Sequence, residues 1–303
     1  MTCPVCESPL PGPVLKGIDR LLSTDGEFGV AACPGCGLGV TTPRLGGGEL
    51  ARRYPGTYAS HRRPDGVLAR SIRRQRDLRA DLSLQSEPLK AAFRSRARGR
   101  VLDVGCGRGD LAAAFARRGW TAHGVDPSPN AVAAAREQGV DARAGVLADV
   151  PGDFTGYDVV IVNHALEHVP DPVGDLDRIR ERLAPGGMVV ISVPDWGSWQ
   201  RSRFGSRWFH LDLPRHLQHF DEDALREACA RAGLRVDEVL PVISLVGLWA
   251  SIQYAVFGRC IFRGSLHRVG LAVAGALYPF TALAGRLFGA DTMTVVARAA
   301  GQR

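Results

Sequence analysis

The 303-residue sequence predicts a doubly wound α/β fold around a mainly parallel sheet. Three observations carry this reading. Between residues 101 and 239, short apolar runs of strand length alternate with helix-length segments, the pattern of repeated βα units. A glycine turn, Gly105-Cys106-Gly107-Arg108-Gly109, follows the first apolar run, and an acid, Asp126, ends the second. A chain of this length holds one sizeable core with room for a small appendage.

The elements follow in order. Val101–Val104 reads as the first strand, Leu111–Ala116 as the first core helix and Thr121–Val125 as the second strand. Ala131–Gln138 reads as a helix ended by Gly139, Asp141–Ala144 as a short third strand and Tyr157–Val162 as the fourth. Leu176–Leu183 reads as a helix stopped by Pro185-Gly186-Gly187, and Met188–Val193 as the fifth strand. Asp221 is placed to cap a helix through Ala224–Ala232 that Gly233 ends, before a sixth strand, Leu234–Val239. Upstream, residues 66–98 read as helical, with Leu68, Ile72, Leu78 and Leu82 on roughly one face. Pro88 breaks that run and Leu89–Phe93 resumes it. Gly46-Gly47-Gly48 and Tyr54-Pro55-Gly56 read as linker.

The N-terminal 43 residues carry two Cys-x-x-Cys pairs, Cys3/Cys6 and Cys33/Cys36, with 26 residues between them. Two such turns facing each other supply a closed four-thiolate tetrahedron, which suits structural zinc. A module this short builds too little core to fold alone, so the metal supplies its folding energy. A redox dithiol or an iron site is the alternative. The net charge of +7 is uneven: residues 44–100 hold 15 Arg and Lys against 5 Asp and Glu. The excess reads as a solvated helix face in an arginine-rich composition, or as contact with an anionic partner. The chain opens Met-Thr-Cys-Pro without an apolar leader, so the cytoplasm is the expected compartment. These readings divide the chain into a zinc module (1–43), a basic helical linker (44–99), a cofactor-binding core (100–240) and an apolar helical insert with a closing strand (241–303).

The glycine turn points to the ligand. Glycines let a ligand approach the backbone, and an acid about 20 residues on sits where a ribose hydroxyl pair is gripped. This favours an adenosine-type cofactor. A dinucleotide fold needs Gly-x-Gly-x-x-Gly, and Asp110 occupies the third glycine position. The form Asp103-x-Gly105-x-Gly107 instead resembles the first motif of class I S-adenosylmethionine (SAM) methyltransferases. That resemblance implies a Rossmann-like seven-stranded sheet, for which Thr292–Ala297 fits the antiparallel closing strand. It also implies that Asp103, Gly105, Cys106 and Gly107 face SAM, Asp126 and Pro127 hold its ribose side, and Val146, Leu147, Asn163 and His164 border it.

Two segments carry the chemistry. Asn163-His164-Ala165-Leu166-Glu167-His168-Val169-Pro170-Asp171-Pro172 follows the fourth strand, where ligands bind in such sheets. Its His164-x-x-Glu167-His168 matches an inverted zinc-protease string, but it sits after a parallel strand of a nucleotide fold; it also resembles the Glu-x-x-Glu-His on which some SAM methyltransferases hold a divalent ion, with His164 in place of the first Glu. The second segment, Arg207 to Phe220, holds His210, His216 and His219 among Trp208 and Phe209. Histidine is the natural base when an acceptor must lose a proton as it attacks a methyl group, and these rings can equally pack and satisfy loop backbone. Taken with the cysteine pairs, the motifs Asp-Val-Gly-Cys-Gly, His-x-x-Glu-His-Val-x-Asp-Pro and Pro-Arg-His-Leu-x-His-Phe resemble bacterial SAM methyltransferases with an N-terminal zinc ribbon. Those serve sugar, polysaccharide and secondary-metabolite pathways. The resemblance implies a small-molecule acceptor, with His216 as first candidate base, His168 as second and His219 as third. Arg215 departs from it, standing where relatives carry a Glu.

A nucleic-acid methyltransferase is the rival reading, favoured by the basic segment and the zinc module. Asn163-His164-Ala165-Leu166 lacks the prolines and aromatic residue that hold a flipped base. A non-catalytic SAM-fold module conflicts with the intact glycine motif and Asp126. Between the sixth and last strands, Val269–Gly285 runs 17 residues without a charge, short of the roughly 20 that span a bilayer. A helix pair is expected there, buried, forming a homodimer interface, or lying against the inner face of the membrane.

Overall fold

The computed structural model describes residues 1–53, 87–94, 98–150, 154–261 and 289–301, with isolated positions between 270 and 287. The basic helix expected upstream of Glu87 lies outside the described residues.

Two sheets organise the chain. Strands β1 (Leu15–Ile18), β2 (Glu27–Ala32) and β3 (Gly39–Thr42) form an antiparallel sheet near the N-terminus. The large sheet comprises β4 (Arg100–Val104), β5 (Thr121–Asp126), β6 (Asp141–Ala144), β7 (Tyr157–Asn163), β8 (Leu183–Pro194), β10 (Leu234–Val242) and β11 (Thr292–Ala299). Its order is β10-β11-β8-β7-β4-β5-β6. Strands β4 to β8 within it pair in parallel, while β11 runs antiparallel to both β8 and β10. This is the expected seven-stranded Rossmann-like sheet with a reversed closing strand.

The sequence explains why these strands sit centrally. Val101, Leu102, Val160, Ile161, Val189 and Ile191 are at most 2% exposed, and their continuous apolar runs fit strands covered on both faces. One layer beneath them packs Phe93, Phe115 and Trp120, whose rings meet edge-on at 5.0 and 5.2 Å. The opposite layer contains Leu176, Ile179, Leu225 and Ala228, and it continues into Cys3, Val5, Leu38 and Val40. The N-terminal segment therefore shares the main core.

Helix boundaries differ from the expected ones where capping chemistry decides. The helix before β8 begins at Pro172, four residues early, because the Asp171 carboxylate accepts from the Gly174 N–H and proline suits the first turn. Ser128 and Pro129 likewise start the helix Pro129–Arg136. Pro88 lies inside the first turn of the helix Glu87–Arg94 and does not interrupt it. The Asp221 cap holds: its side chain accepts from the Ala224 N–H at 2.9 Å. In the insert, Leu245–Phe257 is helical, as are the described positions between 270 and 287.

The last strand of the small sheet comes from elsewhere in the sequence. Residues Gln218–His219 form β9, which pairs with β3 through Gly39↔His219 and Val40↔Gln218. The histidine segment is thus hydrogen-bonded into the sheet of the cysteine module.

Candidate active site

The strand order reverses between β4 and β7, and the candidate residues gather where their carboxyl ends splay apart. Gly105 (φ +72°) and Gly107 (φ +52°) adopt left-handed backbone that L side chains rarely take. A Cβ on Gly105 would lie 2.6 Å from that of Ala165, so no larger residue fits between the glycine loop and the loop after β7. Asp126 binds this turn directly. Its Oδ2 accepts from the Gly107 N–H and its Oδ1 from the Ser128 N–H, each at 2.8 Å. Pro127, Asn163 and His164 are exposed beside it, Val146 is half-exposed, and Leu147 and Cys106 are buried. Asp103 is 4% exposed on β4, and burial together with the Asp126 charge pushes its carboxyl up to about 7. These groups can hold a nucleoside cofactor along the glycine loop.

Across from the loop, the segment after β7 meets the histidine segment. His168 and His216 pack edge-to-face with ring centroids 4.6 Å apart. Each fixes its Nδ1 on a backbone carbonyl: His168 donates to Arg215 O at 3.0 Å, and His216 to His210 O at 2.8 Å. A carbonyl only accepts, so in the neutral rings both Nε2 atoms keep their lone pairs. His216 Nε2 lies 3.9 Å from both Glu167 Oε1 and Asp212 Oδ2. Glu167 is 1% exposed, and its Oε2 has no hydrogen-bond partner. Its other oxygen faces His164 Nδ1 at 3.3 Å.

The charge states follow from burial. Burial, and then the charges of the neighbouring histidines, hold His216 well below its ordinary 6.5, which keeps the ring neutral. Surrounding protein partly desolvates His164, whose side chain is 42% exposed, and so opposes its charged form, but the bond to buried Glu167 outweighs this and raises it. Burial acts the opposite way on Glu167, where the same bond keeps the carboxylate ionised. His219 is pushed down to about 3 by burial. Its Nε2 is 3.0 Å from Thr41 Oγ1, which itself donates to His216 O, so His219 supplies the hydrogen. That contact ties His219 to the small sheet.

The structure adds residues that sequence reasoning did not single out. Asp291, fully buried just before β11, holds His210 Nε2 at 3.2 Å. His210 stacks parallel to His164 at 6.1 Å, extending the cluster to a fourth histidine. Glu167 lies in a string whose likeness to a Glu-x-x-Glu-His divalent-ion site is broken by His164 at the first position. The ligand atoms of Glu167, His168 and His216 lie within 4.8 Å of one another, close enough to hold a divalent ion.

The four cysteine thiols also converge within 4.8 Å. Cys3 and Cys36 sulfurs are 3.6 Å apart, and those of Cys6 and Cys33 are 3.3 Å apart. Zinc–sulfur bonds of about 2.3 Å set tetrahedral edges near 3.8 Å, so the donor set fits that ion after a small expansion.

Residues 72–239 match a family model described as a methyltransferase domain. The chain belongs to that family. It is 34% identical over 149 residues to the ubiquinone biosynthesis O-methyltransferase of Xanthomonas oryzae pv. oryzae, covering 46% of this chain and 62% of that protein. A trans-aconitate 2-methyltransferase of Mycobacterium tuberculosis is 45% identical over 98 residues, covering 31% of this chain and 37% of that protein. The chain therefore spans less than two thirds of the curated methyltransferases it matches. In fold it resembles a Galdieria sulphuraria protein assigned by name to sarcosine and dimethylglycine methylation, with TM-score 0.51 at 19% identity. That match covers 74% of this chain and 86% of the other.

Proposed function

We propose that this protein transfers the methyl group of SAM to a small-molecule acceptor. The observation that carries the reading is the neutral, lone-pair-bearing His216 Nε2, set 3.9 Å from each of two carboxylates. The Gly105–Gly107 backbone admits the methionine end of SAM. Asp126 grips the ribose, with Asp103, Cys106, Pro127, Val146, Leu147, Asn163 and His164 completing the wall. His216 takes the acceptor proton as the methyl moves, and Glu167 and Asp212 stabilise the imidazolium that forms. His168 is the second candidate, and His219 supports from the neighbouring strand. Cys3, Cys6, Cys33 and Cys36 hold one structural zinc ion.

A sugar-, polysaccharide- or lipid-linked intermediate, or a secondary metabolite, is the acceptor class. The names of two relatives add O-methylation and a carboxylic acid to the chemistry this family handles. No described helix is long and apolar enough to cross a membrane. The protein works in the cytoplasm, and its insert rests on the inner membrane face or on a second copy of the chain. The test is transfer from methyl-tritiated SAM to a panel of catechols, carboxylic acids and nucleotide-linked keto-sugars. His216→Ala lowers transfer by about 10²-fold, with His168→Ala the next largest loss, while SAM binding persists. Full transfer by both variants refutes this role for the cluster.

A further inference from the structure

Arg215, the departure from the resembled family beside His216, joins the cluster with its side chain only through Asp212. It is fully buried. Its guanidinium donates to both oxygens of Asp19 at 2.8 and 2.7 Å and to Asp212 at 2.6 to 3.1 Å. Asp19 belongs to the turn after β1, in the cysteine module. Its carboxylate also accepts from Thr24 Oγ1 and from the Leu21 and Leu22 N–H groups. Asp212 in turn faces His216 Nε2, and the Arg215 carbonyl receives His168 Nδ1. One buried ion triad thus fixes the groups on either side of both candidate bases.

A second attachment is independent of the first. Thr41 on β3 donates its hydroxyl to His216 O at 2.6 Å, accepts from His219 Nε2, and donates its own N–H to Leu217 O at 3.0 Å. Burying an arginine between two carboxylates costs desolvation that a well-packed apolar set would avoid. What the planar fork supplies in return is orientation.

We propose that Asp19 and Thr41 are positioning residues for methyl transfer, so that the cysteine module frames the acceptor half of the active site. The proposal rests on the reading of His216 as proton acceptor. Neither residue touches the glycine loop, whose contacts run through Asp126 on the large sheet.

The test uses the zinc-loaded full chain with nitrogen-15 in its imidazoles. Two-bond proton–nitrogen spectra, assigned with His216→Gln and His219→Gln, report each ring's tautomer and surroundings. Calorimetry with S-adenosylhomocysteine reports the cofactor half. Thr41→Val and Asp19→Asn are expected to shift the His216 and His219 signals while leaving cofactor affinity within about twofold. Thr41→Ser, which keeps the hydroxyl, restores the wild-type spectrum. If Thr41→Val does not fold, Asp19→Asn and Arg215→Lys decide. Unchanged His216 signals in the folded variants overturn the proposal. So does a fall in cofactor affinity that parallels the spectral change, since that is general loosening. Full transfer by His216→Ala instead refutes the underlying proton-acceptor reading, and it is measured separately.

Discussion

Two acids of the large sheet differ in what their charge does. Asp126 accepts two backbone N–H groups, which preorganises its carboxylate at the mouth of the glycine turn. Asp126→Ala should weaken SAM binding by about 2 kcal/mol or more, read by calorimetry, because a charge-assisted contact is removed. Asp103 is buried, and its carboxyl titrates near 7 rather than 3.8. An acid raised by folding releases its proton first in the unfolded chain, so it costs stability as pH climbs through that window. Denaturant melts of the cofactor-free protein should show stability falling between about pH 4 and pH 7, and Asp103→Asn should flatten that slope. A slope equal in both proteins would show that the charge is compensated elsewhere. The residues legible beforehand were those whose partners are close in sequence, such as Gly107 and Asp126, 19 positions apart. Asp19 and Arg215 are 196 positions apart, and His210 and Asp291 are 81 apart. No periodicity or spacing rule links such pairs, so only the folded chain reveals them.

At the scale of elements, strands were easier to read than helix ends. Local apolar runs and turn glycines located six strands of the large sheet, and the resemblance to a known family supplied the antiparallel seventh. Helix starts depended on single caps such as Ser128 and Asp171, which one side-chain contact decides. The four-stranded sheet was less legible, because two-residue β9 is too short for any alternation to show. The four converging thiols at its edge lead to a direct measurement. Protein purified without chelator should contain about one zinc per chain by elemental analysis, and Cys33→Ser should lose it together with near-ultraviolet ellipticity. Metal-free protein with an intact fold would end the zinc assignment.

At the scale of the molecule, the exposed apolar side chains among the described residues gather mostly on the insert. Val246, Val256, Phe257, Val273, Phe280, Leu283 and Leu287 are each 44% or more exposed. The basic segment noted in the sequence lies largely outside the described residues, so the insert is the surface to test. If it rests on an anionic membrane, the protein should float with phosphatidylglycerol vesicles in low salt and be released in high salt. A stable dimer indifferent to vesicles, seen by sedimentation, would assign the same surface to self-association.

Strand β9 belongs by sequence to the acceptor loop and by hydrogen bonding to the cysteine module. That has a consequence for building chimaeras. Exchanging residues 1–43 between relatives would transplant three strands and leave their fourth behind, with Arg215 facing a carboxylate that need not be there. The heritable cassette is discontinuous: the cysteine segment travels intact only in company with residues 208–220, and recombination between them should be tolerated only where both parents already agree at positions 19, 41 and 215.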